Sequence, residues 1–173
     1  MTGRFTSSWL LASGALLAAF SFASPPPRWI WNATASAPEG LYDLHRGSAW
    51  GRQDLVAVRP PKPLAAWLNA RGYAPTGVLL IKRVAALAPS QVCRQGAAIT
   101  IDQVAVARAE TRDHAGRSLP VWTGCRVLAA NDVFLLNTTK GSLDSRYLGP
   151  LPRTSVVGRV APLWLIPDTR HAN

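Results

Sequence analysis

Three short stretches of this chain hold side chains whose type and spacing could do chemistry. The first centres on Lys82, in Val78-Leu79-Leu80-Ile81-Lys82-Arg83-Val84. In a strand, alternation puts Leu80, Lys82 and Val84 on one face and Ile81 and Arg83 on the other. An amine among apolar neighbours is costly to keep charged, so its pKa falls and a neutral base becomes accessible. The plainer reading is an edge lysine whose head snorkels to water. The second is Ser36, in Thr34-Ala35-Ser36-Ala37-Pro38-Glu39-Gly40. Small neighbours leave room for a substrate at its hydroxyl, and Pro38 and Gly40 favour a turn; the plainer reading is a turn serine. The third is Ser142-Leu143-Asp144-Ser145-Arg146-Tyr147-Leu148-Gly149. Read as extended, it places Asp144 and Arg146 on one side as an ion pair, with hydroxyls beside them to orient an amine. A polar loop is the plainer reading.

These residues need a scaffold. Apolar residues make up 48% of the 173 residues and charged residues 16%, which fits one packed domain rather than a disordered chain. Thirteen Gly and 14 Pro break the sequence into short apolar runs, the signature of a β-rich domain with many turns. Asp54–Arg59 and the apolar stretch Gly77–Leu87 read as strands. So do Cys125–Ala129, Asp132–Leu136, Ser155–Val160 and Leu163–Ile166, while Ile99–Ala109 is β-rich. Arg112–Arg117 reads as a hairpin tip, and Asn32–Tyr42 as a loop of small residues. Pro63–Arg71 reads as a short helix with Leu64, Trp67 and Leu68 on one face and Gly72 at its C-terminal cap.

At the N-terminus Arg4 precedes an uncharged run to Pro27, with the apolar heart Trp9–Ala23. This is the pattern of an export signal or a membrane anchor. Ser21-Phe22-Ala23 offers a small-x-small cleavage site, while Trp29, Ile30 and Trp31 would lengthen the segment and sit at the membrane interface. Residues 1–28 are thus expected to be signal or anchor, 29–167 the folded domain, and 168–173 a loose tail. Export would allow Cys93 and Cys125 to pair, closing a loop of about 30 residues and adding roughly 3–4 kcal/mol; the alternative is two buried thiols.

The chain carries 19 Lys and Arg against 9 Asp and Glu, a net charge of +10. The basic residues are scattered singly, without a nucleic-acid-binding pattern, so attraction to an anionic lipid surface is the expected role of the charge. His45, His114 and His171 lack metal-ligand spacing, and the cysteines form no metal motif. No metal and no cofactor are expected.

In order and combination, the three stretches resemble the signal peptidase I superfamily of Ser-Lys peptidases, and within it the TraF-type conjugative transfer peptidases. Ser36-Ala37-Pro38-Glu39-Gly40-Leu41-Tyr42 matches the family's S-x-P-x-G box, with Ala37 where Met is common. Lys82-Arg83 matches the Lys-Arg box, although its G-L-P-G-D sequel is degenerate as Ala86–Ser90. Ser142–Gly149 matches S-x-D-S-R-Y-x-G in full, although Asn137-Thr138-Thr139 stands where an acidic G-D-N often precedes it.

The resemblance implies a mainly β fold of the LexA/signal peptidase kind, a coiled sheet with one short helix, preceded by an N-terminal hydrophobic helix. It implies Ser36 as nucleophile and Lys82 as general base. The Ser36 N–H and the Thr34 hydroxyl would form the oxyanion hole. Ser142 would hold the lysine amine, and Asp144 and Arg146 would brace the site. The implied partner is a precursor polypeptide of the pilin type, met at the periplasmic face of the inner membrane and cut after small residues, with hydrolysis or cyclisation to follow. General signal peptidase activity and a non-catalytic envelope component of a secretion apparatus are the competing expectations.

Overall fold

The computed structural model describes residues 28–47 and 49–167. The N-terminal apolar run, its possible cleavage site and the loose tail lie outside the described residues. Among the described residues no helix is long and apolar enough to cross a membrane.

The chain folds into two antiparallel sheets that share a core, in which Ala86 and Phe134 of one pack with Val92, Ile99 and Ile101 of the other. Strands β1 (Trp29–Asn32), β2 (Gly40–Arg46), β3 (Leu55–Val58) and β4 (Leu80–Leu87) join β9 (Asp132–Leu135), β10 (Leu151–Pro152) and β11 (Val156–Leu165) in one sheet of order β1-β2-β11-β3-β4-β9-β10. The second sheet, of order β7-β6-β5-β8, holds β5 (Gln91–Gln95), β6 (Ala98–Ile101), β7 (Val104–Arg108) and β8 (Gly124–Val127). Register shifts break the β4–β9 ladder between Val84 and Ala86 and the β11–β2 ladder between Pro162 and Trp164. Such irregularities bend strands and let a sheet curl.

Helix α1 (Lys62–Ala70) buries Leu68, as its apolar face requires. It ends in a Schellman motif. The Gly72 N–H donates to Asn69 O, the Tyr73 N–H donates to Leu68 O, and Gly72 takes φ +68°. A second helix, the single turn α2 (Ser145–Leu148), falls inside the stretch expected to be extended. Asp144 caps it by accepting the Arg146 N–H, and this local bond wins over an extended backbone.

Several expectations are corrected. Trp29–Trp31 do not lengthen an apolar helix, because they pair with β2 as an edge strand. The loop of small residues is confined between Asn32 and Gly40, which are themselves register partners. Gly40 is required there: a Cβ would lie 2.2 Å from the Trp164 carbonyl oxygen of β11. The β-rich stretch Ile99–Ala109 does form strand, as a hairpin turned at Asp102 and Gln103, both at positive φ. Arg112–Arg117 is the expected hairpin tip, closed by an antiparallel bridge between Arg112 and Ser118, but the hairpin is short and the flanking β7 and β8 pair with β6 and β5 instead of each other. Ser155–Val160 and Leu163–Ile166 merge, apart from their ends, into the single bulged strand β11.

Cys93 and Cys125 face each other across β5 and β8 and form a disulfide with a Cα–Cα distance of 4.0 Å. The bond pins edge strand β8 to its sheet, which is not the sheet that carries Lys82. Replacing both cysteines by Ser is expected to lower unfolding free energy by about 3–4 kcal/mol in denaturant titrations.

Candidate active site

Ser36 sits in the loop between β1 and β2, and the loop is held almost entirely by side chains. Asn32 Nδ2 donates to the carbonyls of Thr34, Ala37 and Pro38 at 3.0, 3.0 and 2.9 Å. Thr139 Oγ1 donates to Ala35 O at 3.2 Å, and Asn137 Nδ2 donates to Ser36 O at 2.6 Å. Tyr42 adds a phenol bond to Pro38 O at 2.6 Å. Every carbonyl from Thr34 to Pro38 is therefore anchored, which fixes the Ser36 backbone before any substrate arrives.

Lys82 lies on β4 opposite the fully buried Val56. Val84, on its own face, packs with Val56, Val58, Val133 and Leu135, with Leu80 beside them, whereas Ile81 packs on the other side with Tyr42 and Leu44. The alternation expected from sequence is thus present up to the bulge after Val84. Lys82 is 5% exposed and its amine donates to Ser142 Oγ at 2.9 Å. Burial pulls its pKa from the ordinary 10.5 down to about 8, the Asp144 carboxylate working against that fall and the Arg146 guanidinium with it.

Asp144 and Arg146 form a buried pair, Nε to Oδ1 at 2.8 Å and Nη2 to Oδ2 at 3.0 Å. Arg146 also donates to the carbonyls of Asn137 and Lys140, and Asp144 Oδ2 accepts the Asn137 N–H at 3.0 Å. Asn137 is the junction of the site. Its Nδ2 also donates to Ile81 O at 3.1 Å and its Oδ1 accepts the Arg83 N–H at 2.9 Å, so it grips β4 on both sides of Lys82. Sequence reading passed over Asn32 and Asn137. Their one signal was position, Asn32 at the start of the serine loop and Asn137 where the family's G-D-N commonly stands.

Ser36 and Lys82 open into one cavity of about 570 Å³, bordered by apolar residues such as Ala74, Val78, Leu79 and Leu80. No hydrogen bond joins the two polar groups. Ser36 Oγ lies 3.1 Å from Thr34 Oγ1, and Thr34 gives its own proton to Asn32 Oδ1 at 2.9 Å, so Ser36 is the donor of that pair. Thr34 and Ser142 are therefore next to Ser36 and Lys82 respectively, each within hydrogen-bond distance of that residue's polar atom. Among the described residues no group of His, Cys, Asp or Glu could hold a metal ion.

A curled β-domain that opens a loop serine and a buried lysine into one apolar cavity has the layout of a serine peptidase. The chain belongs to the signal peptidase family, peptidase S26, whose family model matches residues 3–165. It is 35% identical over 140 residues to a probable conjugal transfer protein TraF of Sinorhizobium fredii, covering 73% of this chain and 72% of that one. It is also 35% identical over 147 residues to the conjugal transfer protein TraF of Agrobacterium fabrum, covering 77% and 80%. A signal peptidase I from Enterococcus faecalis aligns structurally over 66% of this chain and 98% of its own, with 18% identity and a TM-score of 0.39.

Proposed function

We propose that this protein is a serine endopeptidase with a Ser36–Lys82 dyad that matures an exported precursor, a pilin-type subunit of a conjugation apparatus. One observation carries the reading: a buried lysine whose pKa is lowered to about 8 opens into the same apolar cavity as a serine in a fully anchored loop. The TraF names of the relatives supply the setting.

In this mechanism the Ser36 hydroxyl turns from Thr34 to Lys82. Its oxygen attacks the scissile carbonyl carbon while its proton passes to the neutral amine. The Ser36 N–H and the Thr34 hydroxyl, released from Asn32, receive the oxyanion. The C–N bond then breaks, the lysine proton leaves with the new amine, and an acyl ester remains on Ser36. Water or an amine of the substrate attacks that ester, gives its proton to Lys82, and the proton returns to Ser36 as the ester breaks. Water yields a linear acid; the substrate's own N-terminus yields a ring. The residues preceding the described domain would export the protein or hold it at the periplasmic face of the inner membrane, where its substrate arrives.

Lys82 serves as base only when neutral. Because its proton is lost at about 8, kcat/KM is expected to climb roughly tenfold per pH unit below that value and to level above it. A profile flat from pH 6 to 9 would sink the dyad. Stability follows the same group. Between about 8 and 10.5 the unfolded chain holds the lysine proton that the native state has lost, so this contribution to stability rises with pH across that window.

The direct test is mass spectrometry of a candidate pilin precursor co-expressed with this protein or with its Ser36→Ala variant. A shortened product seen only with the active protein supports the reading, and a mass lower by one water identifies a ring. An unprocessed precursor in both, from a genome that pairs the two genes, would refute it.

A further inference from the structure

Behind the cavity of Ser36 and Lys82 lies a second cleft of about 440 Å³. The two share a wall. Strand β4 lines the first with Lys82 and the second with Arg83, and the segment after β9 lines the first with Thr139 and the second with Asn137 and Thr138. Through that wall Asn137 Nδ2 reaches Ser36 O at 2.6 Å. The second cleft therefore begins one side chain away from the serine.

Its lining differs in kind from that of the first. Val104 and Val106 of β7 present exposed apolar surface, at 65% and 43% exposure, beside Ile101 and Leu136. Among the described residues Arg52 and Arg83 supply two guanidiniums against the single carboxylate of Asp102, which accepts the Gln91 N–H at 2.8 Å. Arg83 Nη1 donates to Gln53 O at 2.6 Å, a bond to a neutral carbonyl that orients the cation without neutralising it. Gln53 is held for this at φ +72°, a conformation unusual for a side-chain-bearing residue, with its N–H on Val84 O at 2.7 Å. The cleft thus combines exposed valines with a net positive rim.

We infer that this cleft receives the part of the substrate that follows the scissile bond, and that this part carries a carboxylate side chain within its first few residues. The inference rests on the peptidase reading above. A polypeptide lying across Ser36 must leave the first cavity in both directions. At about 3.3 Å per extended residue, a chain passing the Asn137–Thr138 divide reaches the second cleft within a few positions. Guanidiniums pair with carboxylates in a planar, two-bond geometry, and the valines cover the apolar parts of the same segment.

The test is a peptide series sharing one Ala-rich sequence before the cut and carrying Asp, Ala or Lys at each of the first five positions after it. At one or two positions the Asp peptide is expected to exceed the Lys peptide in kcat/KM by about fivefold at low salt, the size of one exposed ion pair, with the ratio shrinking in high salt. Arg52→Glu, a change at an exposed side chain, is expected to invert the order at those positions. Equal rates for all peptides overturn this inference alone and leave the peptidase reading standing. So does an Asp preference that survives Arg52→Glu, or an Arg52→Glu change that alters only binding to anionic vesicles. A protein that cuts none of the peptides overturns the peptidase reading and this inference with it.

Discussion

Ser36→Ala and Lys82→Met are each expected to lower kcat/KM by at least about 10⁴-fold, because in the proposed mechanism each removes a group that the bond-making step uses. Their effects on stability should differ. Ser36 is a half-buried loop residue whose hydroxyl bonds only Thr34, so its loss should leave the unfolding midpoint nearly unchanged. Lys82 is 5% exposed and its charged form is disfavoured by burial. A methionine of similar length fills the same space without a charge, so Lys82→Met should be as inactive as Ser36→Ala yet more stable at pH 7. Thermal melts and single-turnover cleavage measured together separate the two. A Lys82→Met protein that still cuts would remove the lysine from the chemistry.

The second large effect belongs to the Asp144–Arg146 pair. Both side chains are almost completely shielded, at 0% and 3% exposure. Removing one partner strands the other's charge in the interior, which typically costs about 3–5 kcal/mol. Asp144→Asn and Arg146→Met should therefore both destabilise the protein, and purely structural residues would stop there. These two have opposite influences on Lys82, the carboxylate raising its pKa and the guanidinium lowering it. Asp144→Asn should move the rise of the pH–rate profile to lower pH, and Arg146→Met should move it to higher pH. Shifts of the same sign in both variants would show that the pair acts only by holding α2 in place.

Sequence made Lys82 legible because its strand obeys a period of two, and a charged residue on an apolar face breaks that pattern visibly. Ser36 and Ser142–Gly149 were legible as ordered motifs, though each looked like an ordinary turn or loop alone. The anchoring of the site was not legible. Asn137 meets Ser36 across 101 positions of sequence, and an amide side chain has no periodicity that announces a partner so distant. Strand β5 was missed because Gln91–Gln95 is mostly polar by residue type. Burial of Arg94, whose Nη1 donates to Arg146 O at 2.8 Å, comes from tertiary contact alone. The helical turn at Ser145 was misread because Asp144 can serve an extended pair or a cap, and only the folded surroundings choose between them.

Trp31, next to last in the edge strand β1 before the serine loop, stacks on Trp164 of β11, with ring centroids 5.9 Å apart and planes 28° from parallel. One member of this pair also borders the cavity of Ser36 and Lys82. Two indoles this close couple their electronic transitions, so the near-ultraviolet circular dichroism of the resting protein should carry a paired band that neither ring would give alone. A peptide entering the cavity would disturb Trp31 and weaken that band. Occupancy could then be followed optically in the unlabelled Ser36→Ala protein, with Trp164→Phe as the silent control.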